Sequence, residues 1–436
     1  MSDEPLRNSF VSSRLTTPWS LTPQVVGHRK RAMPTLEVTQ EAQLALSGGG
    51  YRAMLFHVGA LWRLNEFGQL SKMTHISSVS GGSIVAGVLA ANWSHLDFDA
   101  DGKAQAFNQC VVEPLIRLAR KSIDYPAAAF GLVLPFVSAA GLLARTYNKH
   151  VTSRKALADI PSSPRFIFNA TNVQTGAVWT FQKDMMGDPI VGWQKPEVSL
   201  ATAVAASSAF PPVLSPLTLE FPHSTWKPFP HNSGVMRYYD DLRVRIERVR
   251  PDHLETLRKR VVLADGGIAD NLGLLGLPPT QGNRYISDGG ARPSIQTSPW
   301  RNWVSQIWRA YDIIHDQPSQ LRAYRAIAQM ADHDECRTEQ SRSYPCGDGA
   351  YWHMGWPPAA HRETLQFVQL KELEIAKLSS IGTKLRAMDD VTIMRLINWG
   401  YVAANRSLPY VSGLWKTRDG YEFNESSLPY PTAGFG

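Results

Sequence analysis

From residue 44 onward the chain alternates short apolar runs with longer stretches whose apolar residues recur every three or four positions. The short runs, rich in Val, Ile, Leu and Phe, predict strands at 44–46, 75–79, 165–171, 177–181 and 260–264. The longer ones predict helices at 52–67, 83–93, 104–121, 303–331, 362–377 and 388–405. Gly68 stands where a helix-ending glycine belongs, just past the first of them. Strands alternating with helices in this way argue for an α/β fold with a mostly parallel, doubly wound sheet. In the helix at 303–331, Val304, Ile307, Trp308, Tyr311, Ile314 and His315 fall at helical spacing, a stripe read as facing the core. Trp399-Gly400-Tyr401 is read as packing the last helix onto the body.

Two segments break the alternation. Residues 1–40 carry Pro5, Pro18, Pro23 and Pro34 among scattered Ser and Thr, an irregular lead-in. Residues 125–144 contain no charge, a length that can span a bilayer, yet Pro126, Gly131, Pro135 and Gly141 interrupt them. Three readings stay open for this segment: a membrane span, a buried core or substrate-channel segment, and an interfacial lid.

A chain of 436 residues, 43% hydrophobic, can bury a substantial core. Its net charge of +7 is partly clustered, at His28-Arg29-Lys30-Arg31, at Arg243, Arg245, Arg248 and Arg250, and at Arg258-Lys259-Arg260. Such clusters are either solvated faces or points of attraction to an anionic lipid surface. No zinc-finger spacing, RNA-binding aromatic motif or recognition helix accompanies them, so nucleic acid is not an expected partner. Three cysteines, Cys110, Cys336 and Cys346, make no disulfide framework, and the N-terminus has no apolar core of a signal peptide. A cytoplasmic location is expected. His333, Cys336, Cys346 and His353 match no common zinc-finger spacing and are read as a loop with incidental cysteines.

The candidate chemistry lies in three glycine-rich turns. Gly48-Gly49-Gly50 follows the first strand and can bring bare backbone N–H groups close to a developing oxyanion, with Arg52 adding a positive charge nearby. A loose dinucleotide fingerprint fits the same residues, but its acidic partner, Glu66, falls inside a helix rather than at a strand end. Ser80, in Ser78-Val79-Ser80-Gly81-Gly82, sits at a strand-to-helix corner that departs from Gly-x-Ser-x-Gly only at Ser78. The competing reading is an ordinary helix-capping serine. Asp265, in Ala264-Asp265-Gly266-Gly267, ends an apolar strand and can act as general base to Ser80 if it lies within hydrogen-bond reach. Asp-Gly in a plain turn is the alternative.

Taken in order, these three turns resemble the signatures of patatin-like phospholipases, and Tyr51-Arg52-Ala53 is similar to the cytosolic phospholipase A2 branch. The small-residue block at 203–212, ending Phe210-Pro211-Pro212, resembles the one that precedes the aspartate in that family. The resemblance covers 42–90 and 165–275, and 303–331 more loosely. It implies a three-layer hydrolase fold with a mostly parallel central sheet: a catalytic domain at 41–300 and a helical C-terminal part at 301–436 packed on it. It also implies a Ser–Asp dyad, with Ser80 as nucleophile, Asp265 as base and Gly48, Gly49 and Gly50 as oxyanion hole. Arg52 would help hold a phosphate or the oxyanion, while Gly81, Gly82, Gly266 and Gly267 would support the corner and the close approach. No metal or organic cofactor is implied. The expected reaction is hydrolysis of fatty-acyl esters of phospholipids at a membrane surface, with peripheral attachment and a lid that a partner or signal could release. Two other classes stay open: an esterase or acyltransferase acting on another ester, and a non-catalytic lipid-binding protein. A triad using His315, His333, His353 or His361 is the alternative to the dyad.

Overall fold

The computed structural model describes residues 41–124, 139–222, 225–230, 235–236, 249–278, 282–293, 296–298, 302–331, 349–355, 372–408 and 427–434. The lead-in, residues 125–138, Arg243, Arg245, Arg248, His333, Cys336, Cys346, His361 and the first half of the helix expected at 362–377 lie outside them.

Ten strands build one sheet: β1 Ala42–Leu46, β2 Met73–Val79, β3 Arg165–Asn172, β4 Ala177–Phe181, β5 Met186–Asp188, β6 Gly192–Gln194, β7 Leu217–Glu220, β8 Arg260–Asp265, β9 Asn283–Asp288 and β10 Gly349–His353. They run in the order β10-β9-β1-β2-β3-β4-β5-β6, and the first five are parallel. β4, β5 and β6 extend this core antiparallel. The principal helices are α1 Gly50–Glu66, α2 Gly81–Asn92, α3 Ala139–His150, α4 Leu200–Ser207, α5 Trp303–Ala331 and α6 Asp390–Ser407. The class is α/β with a parallel central sheet, as the alternation predicts.

One detail of the pairing governs the site. β2 pairs with residues 165–169 of β3 and stops at Val79, opposite Asn169. On the same edge β8 arrives antiparallel, pairs with residues 170–172 and stops at Asp265, opposite Ala170. The other edge of β3 is taken by β4. Two strands from opposite directions therefore end on adjacent residues of one template strand, so the residue after Val79 and the residue at the end of β8 must be neighbours.

Each predicted strand appears within two residues of its expected bounds, because each is an apolar run with no competing helical period. β5, β6, β7, β9 and β10 are not among the expected strands. Asn283, Arg284, Ser287 and Asp288 hide a strand that lies beside β1 with Tyr285, Ile286 and Ser287 buried. The helix expected at 104–121 is interrupted: a π-helical turn at Asn108–Val112 precedes the α-helix Glu113–Ala119. Of the uncharged segment, residues 139–144 open α3, which buries Ala140, Leu143 and Tyr147 and packs on α4. That part is a core helix. Among the described residues no helix is long and apolar enough to cross a membrane.

α1 is buried on nearly every side, between the sheet and α6. The two helices touch backbone to backbone: Gly59 lies under the Ile397 carbonyl and Gly400 under the Phe56 carbonyl, with no room for a Cβ at either place. The expected core-facing stripe of α5 is corrected. Ile307 is 60% and Ile314 67% exposed, whereas Trp308, Tyr311 and His315 turn toward a cavity. The helix is seated instead through Ala323 and Ala326, which pack with Ala45, Leu272 and Ile286, and through Arg322, which pairs with buried Asp270 at 3.5 Å. Small residues and one buried ion pair set its orientation, a signal that apolar spacing does not carry.

Candidate active site

Ser80 occupies the corner between β2 and α2 with φ 51°, a left-handed conformation that is strained for a residue with a Cβ. Its side chain caps nothing, so the helix-cap reading fails. The corner is held from below. The Ser80 N–H donates to Ser207 Oγ at 3.0 Å, Ser207 Oγ donates to the Asn169 carbonyl at 2.6 Å, and Ser83 Oγ lies 2.8 Å from Ser207 Oγ and 2.9 Å from Ser78 Oγ. Ser78, the departure from the glycine pattern, is thus part of the hydroxyl network that braces the turn. Ser207 comes from the small-residue block at 203–212, whose role sequence reasoning left unassigned.

Asp265 is 3% exposed. Its Oδ1 accepts the Gly267 N–H at 2.8 Å, and its backbone is pinned by Thr171 Oγ1, which donates to the Asp265 carbonyl at 2.8 Å. Oδ2 is buried and makes no hydrogen bond of standard geometry. The Ser80 hydroxyl lies near enough to favour the charged carboxylate. Burial dominates all the same and pushes the carboxyl up to about 6, against the lowering contributions of Ser80 and Gly267.

In the first glycine turn, Gly49 and Gly50 have φ of 142° and 60°, which glycine alone adopts without strain. Gly48 presses against the Ser80 side chain, and its N–H is taken by the Asn271 carbonyl at 3.0 Å. The N–H groups of Gly49, Gly50 and Gly81 have no acceptor among the described residues. Gly49 also lines the cavity. Arg52 is buried; its Nε and one Nη donate to the Gly289 carbonyl at 3.3 and 3.2 Å and the other Nη to the Ile381 carbonyl. Burial lowers its pKa to about 10. The guanidinium therefore ties two loops to the glycine turn while one face lines the cavity.

Ser80, Asp265 and the glycine turn open into a cavity of about 420 Å³, within the range of small-molecule sites. Its far wall comes from α5, through Trp308, Tyr311 and His315, and from residues 379–383. Phe210 stacks on Trp308 at 6.4 Å, and Tyr311 on His315 at 5.7 Å. Of the other three candidate triad histidines only His353 is described; it lines a smaller polar cavity beside Asp288. Among the described residues no group of three His, Cys, Asp or Glu side chains is placed to hold a metal.

A family profile of patatin-like phospholipases matches residues 44–278, more than half of the chain. The chain belongs to the patatin-like phospholipase family. The matched span contains β1 to β8, the serine corner and Asp265, and stops before α5. Among solved structures, human GIVD cytosolic phospholipase A2 is similar at 13% identity, over 60% of this chain and 50% of that one, with a TM-score of 0.39. This chain thus spans about half of that enzyme's length. VipD from Legionella pneumophila is similar at 12% identity, over 85% and 66% of the two chains, with a TM-score of 0.31. ExoU of the type III secretion system of Pseudomonas aeruginosa, in complex with SpcU, is similar at 16% identity over 91% and 76%, with a TM-score of 0.23. Among the curated proteins none matches the chain. All three glycine-rich turns lie inside the matched span; the wall supplied by α5 and residues 379–383 lies outside it.

Proposed function

We propose that the chain is a serine lipid acyl hydrolase that cleaves fatty-acyl esters of phospholipids with a Ser80–Asp265 dyad. The observation that carries this reading is the end-to-end arrival of β2 and β8 on β3, which brings the strained serine beside a buried carboxyl inside one cavity. In the proposed sequence Ser80 Oγ attacks the ester carbonyl as Asp265 Oδ2 takes its proton. The tetrahedral oxyanion accepts hydrogen bonds from the Gly49 N–H and its neighbour Gly50; loss of one such donor typically costs about 3 kcal/mol of barrier lowering. Gly48 keeps the turn against Ser80, and Arg52 fixes the turn to the loops at Gly289 and Ile381 while contributing positive charge. Asp265 then protonates the leaving alkoxide, and water enters by the reverse path. A carboxyl held near pH 6 suits both roles, because it can take and return a proton close to neutrality. In this reading residues 41–300 form the catalytic domain, and the part from 301 onward, which also lends β10 to the sheet, completes the pocket wall through α5 and residues 379–383.

The exposed face of α5 supports a lipid surface as the place of action. Trp303, Ile307, Ile314, Leu321 and Tyr324 are more than half exposed on the same helix that lines the cavity. Cytoplasmic location and peripheral membrane association belong to the same proposal. The test is fatty-acid release from mixed anionic phospholipid vesicles by wild type, Ser80→Ala and Asp265→Asn. Release by wild type alone is expected. Release by Ser80→Ala equal to wild type would end the dyad reading, and cleavage of short soluble esters without lipid cleavage would favour the esterase class.

A further inference from the structure

α5 lies beyond the family-matched span, yet it puts an imidazole against the turn that carries the catalytic carboxyl. His315 lines the cavity, and its Nε2 abuts Gly267: a Cβ on that glycine would sit 3.4 Å from Nε2 and 3.0 Å from Asp265 Oδ1. The Gly267 backbone favours the protonated ring of His315, against the larger lowering effect of burial. The N–H of the same glycine donates to Asp265 Oδ1 at 2.8 Å. Tyr311, one turn earlier on α5, stacks on the imidazole with 26° between the planes and fixes its tilt. The chain of contacts runs from Tyr311 to His315, through Gly267, to the carboxylate.

Resting on the Ser80–Asp265 reading, we infer that His315 is a positioning residue that holds Gly267 so that its N–H fixes Asp265 Oδ1 and leaves Oδ2 directed to Ser80. The peptide before Gly267 is held by the Gly266 carbonyl, which accepts the Asp270 N–H at 2.9 Å, and by the Gly266 N–H, which donates to the Ser207 carbonyl at 3.1 Å; His315 adds the contact on the cavity side of Gly267. His315 suits the task while neutral, since one ring nitrogen then donates and no second charge competes with Asp265. Burial lowers the His315 pKa and keeps it in that form. The groups facing this pair are Ser80 and the phenols Tyr147 and Tyr311 on the side of Asp265, and Asp312, Asp316 and Arg322 on the side of His315. Asn271 Oδ1 also faces Gly267, 2.9 Å from where a Cβ would sit, but an amide oxygen donates no hydrogen bond.

The experiment uses the full chain with p-nitrophenyl butyrate and, separately, a fluorophosphonate that phosphonylates an activated serine and releases fluoride. Both read the dyad without requiring a lipid. His315→Ala, His315→Phe and His315→Gln are compared: phenylalanine keeps the stack on Tyr311 without a donor, and glutamine restores an N–H. Removing the clamp frees a hydrogen bond that favours the charged carboxylate, so the acidic limb of kcat/KM moves to higher pH, by about half a unit or more. With it kcat falls about tenfold at little change in KM for the Ala and Phe variants, as expected when a general base loses its aim. Glutamine recovers both. A loss that is uniform across pH and not rescued by glutamine, or an effect on KM alone, would overturn the clamp. So would Ala and Phe variants that match a reactive wild type. A wild type inert to both reagents would instead overturn the serine-hydrolase reading, and the clamp with it.

Discussion

At Asp265 the proposed function and stability pull in opposite directions. Burial raises the carboxyl to about 6, above its ordinary 3.8, so the folded chain holds the proton more tightly than the unfolded one. A group raised in this way contributes its full stability below the unfolded pKa and loses it as pH rises through the folded value. At pH 7.5 the ionised, desolvated carboxylate therefore destabilises the fold by up to about 3 kcal/mol, at 1.36 kcal/mol per pH unit. Asp265→Asn is expected to abolish ester cleavage and yet to raise the Tm at pH 7.5, with the gain shrinking as the pH is taken below 4. Thermal unfolding of the two proteins at both pH values checks this. An asparagine variant less stable than wild type at pH 7.5 would mean that the charge is compensated in the fold. The same scale shows what a motif can hide: Ser78 looks like a flaw in a glycine pattern, but its hydroxyl is bonded to Ser83, and the pattern has no way to announce a partner that must fold next to it.

Among the elements, α1 and α6 cross at glycines that accept a carbonyl from the opposite helix. Gly400→Ala forces the helices apart, and overpacking of this kind costs about 1–3 kcal/mol or more. Urea unfolding should show the loss, while Val391→Ala at an exposed position of the same helix should stay within about 0.5 kcal/mol of wild type. Equal losses would remove the crossing from the account. For α5, replacing Ile307 and Ile314 by Asp is expected to lower activity on anionic vesicles several-fold and leave soluble-ester cleavage unchanged; equal activity on vesicles would free the helix from any lipid role. The sequence made the strands legible wherever an apolar run was flanked by turns, as at 75–79 and 260–264. It failed at β9, where four of six residues are polar because Arg284 and Asp288 bond partners remote in sequence, Gln43 and Tyr351. It also failed at the orientation of α5, since helical spacing marks a stripe but not which way a helix turns when its inward face meets a polar cavity and a buried ion pair.

For the whole molecule, the dyad residues were recognisable as candidates in their turns, but not the reason they meet: that depends on β8 running against β3 rather than along it. Nor did the motifs reveal how far along the chain the site extends. The Tyr51 N–H donates to the Lys384 carbonyl at 3.1 Å, Arg52 bonds the Ile381 carbonyl, and residues 379–383 wall the cavity. A chain ending at residue 371 is expected to leave Ser80 unlabelled by a fluorophosphonate, and labelling at the wild-type rate would refute it. The glycine turn at 48–50 thus waits for a brace, at Ile381 and Lys384, made far later in synthesis. On the proposed reading, a nascent chain would carry its serine and its aspartate through the crowded surroundings of the ribosome as spectators until that later stretch had closed over them.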